Sequence, residues 1–151
     1  MKRFPAFLLV LGLTLGCSST NIPNYVKDKH PYKKIFYADF DQAVDATKKT
    51  VEELGWIVTK STDPGVYEQN RATESETARQ ILLFTEVRQT ALFLGSRFAK
   101  MNIFLRSISK NETEIEIRYL TVTSVTFKDV YSYRKDSFVN KVFKLIDEKL
   151  K

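Results

Sequence analysis

A single cysteine, a single histidine and two Ser-x-x-Lys spacings are the features of this chain whose residue types could carry reactive chemistry. Cys17 is the only Cys, so no disulfide can close within the chain. His30 stands in the polar stretch Lys27-Asp28-Lys29-His30-Pro31, remote from any apolar periodicity. Ser-His-Asp and Cys-His arrangements therefore lack a placed base, and zinc sites of the common kind lack ligands. Ser107 to Lys110 and Ser132 to Lys135 each fit Ser-x-x-Lys, a mechanism that needs both side chains on one helical turn with Ser-Asp-Asn and Lys-Thr-Gly elsewhere. Ser107 falls at the end of a predicted strand, and neither companion motif occurs. Asn111-Glu112-Thr113 fits a glycosylation acceptor but reads as a turn. Asp63, Glu68, Glu74 and Glu76, the carboxylates weighed for glycan hydrolysis, lie in or beside loops where nothing fixes their separation. With only five glycines there is no phosphate-cradling loop. No catalytic residue, metal site or cofactor is expected, and the chain reads as non-enzymatic.

Cys17 calls for another explanation, and its position supplies one. Met1-Lys2-Arg3 is followed by an uncharged run from Phe4 to Leu15 and then by Gly16-Cys17. A basic start, an apolar stretch and a small residue before a cut make an export signal, and about 12 apolar residues are too few for a membrane span, which needs roughly 20. The segment Leu13-Thr14-Leu15-Gly16-Cys17 resembles the bacterial lipoprotein lipobox, with Thr14 and Leu15 standing where the commonest pattern has Leu and then Ala or Ser. The resemblance implies cleavage after Gly16, diacylglycerol on Cys17 and usually acylation of the new amino terminus. Two or three acyl chains, at about 0.8 kcal/mol per buried methylene, make a lasting anchor where one does not. Ser18 resembles the class sent to the outer membrane, so the implied address is the cell envelope, facing the periplasm if the cell is Gram-negative.

Charge agrees with export. The chain carries a formal +6; without Lys2 and Arg3, 22 basic residues face 18 acidic ones, a net +4. The basic residues alternate with acids instead of gathering on one face, so nucleic acid is not an expected partner. Hydrophobic residues at 43% and charged residues at 28% describe a folding chain. Residues 1–16 are read as the signal peptide and 17–34 as the lipidated Cys with a flexible tether. Residues 35–151 are left for one domain.

The elements follow from periodicity. Lys34 to Ala38 reads as a strand, with Ile35 and Tyr37 on one face and Phe36 on the other. Phe40, Val44, Thr47, Val51 and Leu54 then step by four and three, predicting a helix over 40–54 with Asp39 as N-cap and Gly55 as its stop. Trp56 to Thr62, the turn Asp63-Pro64-Gly65 and Val66 to Arg71 read as a hairpin, and 72–79 as a loop. A long strand runs from Ile81 to about Leu94, with a turn at Gly95-Ser96. Ala99, Met101, Ile103 and Leu105 point inward in the next strand, and Lys100, Asn102 and Arg106 outward. Ile115, Ile117 and Tyr119 alternate with Glu114, Glu116 and Arg118; the shift to Leu120 and Val122 predicts a bulge near 119–120. A last helix starts with Asp136 as N-cap and carries Phe138, Val142, Leu145, Ile146 and Lys149 on one side. The expected fold is α+β: a mainly antiparallel sheet of about five to six strands with two helices on one face, in strand-helix-strands-helix order.

This order, with Phe36-Tyr37-Ala38-Asp39-Phe40 before the first helix and Leu54-Gly55-Trp56 after it, resembles the helix-grip-type domains of small envelope lipoproteins, including an accessory subunit of the outer-membrane protein assembly machine. The resemblance covers roughly 34–150 and transfers no functional residue. It implies an assembly accessory that binds an envelope protein while anchored to the membrane through Cys17. Phe84, Leu92, Phe93, Leu94, Tyr131, Tyr133 and Phe138 leave two uses open, core packing and an exposed apolar surface. A carrier or sensor holding an apolar ligand between the last helix and the sheet is the alternative function.

Overall fold

Asp39 caps the first helix: its side chain accepts from the Gln42 N–H at 2.9 Å. The computed structural model describes residues 20–69, 71, 78–125 and 128–151. Among them the chain is α+β, with strands β1 (Tyr32–Phe36), β2 (Val58–Thr62), β3 (Gln80–Thr85), β4 (Arg88–Leu92), β5 (Gly95–Ser109), β6 (Glu112–Val125) and β7 (Lys128–Ser132), and helices α1 (Phe40–Glu53) and α2 (Asp136–Lys149). All strand pairs are antiparallel in one seven-stranded sheet, ordered β1-β6-β5-β3-β2, with β4 also on β5 and β7 also on β6. The expected class holds, with more strands than the five or six anticipated. No helix among the described residues is long and apolar enough to cross a membrane.

One sheet face packs against both helices. Met101, Ile103 and Leu105 on β5 and Ile115, Ile117 and Tyr119 on β6 meet Ala43, Ala46 and Val51 of α1 and Val139, Val142 and Ile146 of α2 in one buried core. The inward set on β5 is the one its alternation predicts. Phe36, rather than Ile35 or Tyr37, is the buried side of β1. Gly55, at φ 76°, stops α1 as expected.

The opposite face departs from expectation. Lys100 and Asn102, predicted to look outward, are buried beneath residues 22–26, and Tyr67 packs on the same face against Leu82, Phe84 and Phe104. The Val26 N–H donates to Asn102 Oδ1 at 2.6 Å, and Lys100 Nζ donates to Asn24 Oδ1 at 3.0 Å. Val26 is fully buried against Leu120 and Val122. The tether reading of 17–34 is therefore corrected from Ile22 onward: the chain is packed there, and β1 begins at Tyr32, inside the expected tether. The same cover explains the phase shift after Tyr119. Leu120 and Val122 belong to the second buried face, and β5–β6 pairing runs unbroken from Gly95↔Val125 to Ser107↔Thr113, with its irregularity between Ser107 and Ser109.

Three further expectations are corrected. The hairpin over 56–71 does not form: Asp63 accepts from the Gly65 N–H, a 3-10 turn spans Pro64–Val66, and β2 pairs with β3 instead. The long strand over 81–94 breaks at Glu86-Val87 into β3 and β4, and its turn is Phe93-Leu94, just before Gly95. Asp136 is the first residue of α2, not its cap; Lys135 precedes it without a side-chain cap bond. The Tyr32 hydroxyl sits there instead, accepting from the Lys135 N–H at 2.8 Å and donating to Asp136 Oδ1 at 2.5 Å. A helix end on the first strand needs no local cap when a tyrosine reaches across to it. β7 was not foreseen.

Candidate functional site

The helices cover only part of their sheet face. Beyond them the antiparallel register fixes two rungs across β4, β5, β6 and β7: Arg88-Ala99-Thr121-Ser132 and Thr90-Arg97-Thr123-Val130. Side chains alternate along strands, so both rungs stand on the same face as the core residues Met101 and Tyr119. Together with Trp56, Tyr119, Arg134, Lys135 and Phe138, seven of these eight residues line a groove of about 480 Å³ between the start of α2 and the sheet.

The base of the groove is an aromatic cluster. Trp56 meets Tyr119 edge-on at 6.0 Å between ring centroids, and Phe138 lies 5.9 Å from Trp56 and 5.3 Å from Tyr119. Such packing holds the base rigid. The Trp56 N–H is buried without a hydrogen-bond partner. Burial pushes the Tyr119 phenol up, and the nearby guanidiniums of Arg88 and Arg97 pull it back.

The rim is cationic and, among the described residues, carries no carboxylate. Arg88 lies 5.1 Å from the Trp56 ring and donates to the Leu54 carbonyl at 3.1 Å. Arg97 reaches Thr123 Oγ1 at 3.4 Å, and Arg134 lies 5.1 Å over the Tyr32 ring. The arginines of the described chain divide by place. Arg71, Arg79, Arg106 and Arg118 form ion pairs, whereas Arg88, Arg97 and Arg134 have none among the described residues, and all three line this groove. Three other clefts, beside α1, each contain Asp45 or Asp39.

A second charged cluster lies on the opposite face, fully satisfied. Arg118 donates to Glu116 at 2.6 Å and to Glu68 at 2.8 Å, Arg71 bonds Glu116 at 2.8 Å, and Lys33 adds a contact at 3.2 Å. Tyr25 bonds both Glu68 and Arg118. Burial alone would raise the Glu68 carboxyl, but hydrogen bonds from Arg118 and Tyr25 outweigh it and hold the group at about 2. Burial also opposes ionisation of Glu116, and Arg71 and Arg118 again prevail to lower it. The visible effect of the cluster is to fasten residues 25, 68 and 71 to β6.

The residues singled out from sequence are scattered. Gly16 and Cys17 lie outside the described residues, as do Glu74 and Glu76. His30 is exposed, its backbone N–H on Asp28 Oδ1 at 2.9 Å. Ser107 and Ser132 both sit on strands, so neither Ser-x-x-Lys forms a helical turn. Ser132 and Lys135 nonetheless both line the groove. Phe93 and Leu94 are exposed at their turn, Phe84 is buried on the far face beside Tyr67, and Phe138 packs in the groove. The groove arginines were not singled out. The available signal was the period-two spacing of Arg88 and Thr90, matched by Thr121 and Thr123, but the facing registers could not be read without β7. No group of three or more His, Cys, Asp or Glu side chains among the described residues could hold a metal ion. No protein-family model matches the chain, and no curated protein matches it.

Proposed function

We propose that the chain is a non-enzymatic cell-envelope lipoprotein whose domain binds a protein partner, as an assembly accessory would, while lipid on Cys17 holds it at the membrane, in the outer membrane and facing the periplasm if the cell is Gram-negative. The observation that carries the binding part is the open groove, lined by no carboxylate among the described residues, a solvent-facing stretch of sheet that the helices leave uncovered. Packed aromatics at the base and exposed cations at the rim suit recognition. The anchoring part rests on the leader and its resemblance to a lipobox. Arg88, Arg97, Thr90 and Thr123 in the lining fit poorly with a carrier of a purely apolar ligand, which calls for a mostly apolar pocket. Crosslinking in intact cells followed by gentle detergent extraction tests the reading. A companion protein in constant ratio is expected, and recovery of the chain alone after crosslinking would overturn it.

A further inference from the structure

We infer that the segment of the partner seated in this groove is acidic: a stretch of chain bearing several spaced Asp or Glu side chains, lying across the Arg88 and Arg97 rungs toward the start of α2. The inference rests on the partner-binding reading above and adds the chemistry of the contact.

Complementarity gives the sign. Arg88, Arg97 and Arg134 lack carboxylate partners among the described residues, although the other described arginines are ion-paired. Guanidinium groups match carboxylates through paired, geometrically fixed hydrogen bonds, and each here retains donors for another acceptor.

Dispersal favours a segment over a single compact anion. Arg88 is held against Leu54 and Trp56, Arg97 against Thr123 on the central hairpin, and Arg134 over Tyr32 beside the start of α2. These anchor points belong to different elements around the groove. An extended acidic segment can meet all three in turn. Apolar side chains of the same segment would meet Phe138 and Tyr119 at the base.

The test uses the full-length chain in cells, with a photoreactive aryl side chain at position 123 in the groove, at position 37 beside α1, or at position 93 on the β4–β5 turn. The expected result is a protein crosslink from position 123, mapping to an acidic segment of the partner. Its yield should fall about tenfold when R97E and R134E are combined, because charge reversal replaces attraction with repulsion. Both arginines are exposed, so the double variant should keep the wild-type melting temperature. A synthetic copy of the mapped segment should then change the emission of Trp56, the only Trp in the chain, and bind more weakly as salt rises.

Protein crosslinks from positions 37 or 93 alone would leave the partner reading standing and overturn the groove assignment. A groove crosslink to a non-acidic segment, to lipid or to glycan would also overturn it, as would a yield unchanged by R97E and R134E. Silence from all three positions would remove the partner reading and this inference together.

Discussion

Arg118 bonds two carboxylates at once, and what happens to them in acid is a prediction about single residues. Folding lowers Glu68 to about 2 from the usual carboxylate value near 4.5, and lowers Glu116 as well. A carboxyl depressed by folding stabilises the native state fully above its unfolded value and loses that contribution as pH falls toward its folded value. Urea midpoints should therefore hold steady from neutral pH to about 4.5 and decline from there toward pH 2; Glu68→Gln should flatten the decline. Glu116→Ala removes a fully buried partner of two arginines and should cost about 3–5 kcal/mol in urea unfolding. The Thr50 hydroxyl, buried in α1 without a hydrogen-bond partner, points the other way. Thr50→Val should raise stability by about 1 kcal/mol, since it removes an unsatisfied polar atom at nearly constant volume. Sequence marked Glu116 and Arg118 only as the polar half of an alternation. The segments that bury them come from residues 25, 68 and 71, and no local period records such distant cover.

Elements whose own residues dictate their form were the legible ones. Helix α1 carries its cap, its apolar stripe and its glycine stop within the seventeen positions from Asp39 to Gly55, and it forms within one residue of the predicted range. Strands β5 and β6 declare their core face by alternation alone. Elements shaped by neighbours were misread: β4 and β7 lie at the edges of a four-strand extension, and residues 22–26 look like linker until Leu120 and Val122 require a cover. Two substitutions probe these neighbour-made features. Val26→Ala should lower stability by about 2 kcal/mol, a cost that a free tether would not show. Gly95 follows the β4–β5 turn at φ 154°, where an added Cβ would come within 2.0 Å of the Ser124 carbonyl oxygen. Gly95→Ala should destabilise by about 2–3 kcal/mol and loosen that end of the sheet, read by thermal melting and amide exchange. Gly55→Ala meets only the Arg88 guanidinium at 3.9 Å, and its backbone strain should cost about 1–2 kcal/mol.

At the scale of the whole molecule, the proposed anchor and the proposed grip occupy different parts of the chain and should fail independently. Cys17 carries the lipid in this reading, and the groove is built from residues 56–138. Anchoring confines the domain to a layer near the membrane, which raises its effective concentration toward any partner held there without adding a contact. Cys17→Ser should therefore abolish the lipid mass on the mature chain and shift the protein out of the membrane fraction, while its melting temperature and its affinity for the mapped segment stay at wild-type values. Crosslinking in cells should fall about a hundredfold through dilution alone. The R97E and R134E pair should do the converse, leaving lipid mass and membrane fractionation intact while weakening the grip. Intact-mass measurement, fractionation and peptide titration on both variants check this separation. A Cys17→Ser chain that is still cleaved and still fractionates with membranes would show that something other than this cysteine holds the protein there, and a lost affinity for the segment would show that the lipid takes part in the groove itself.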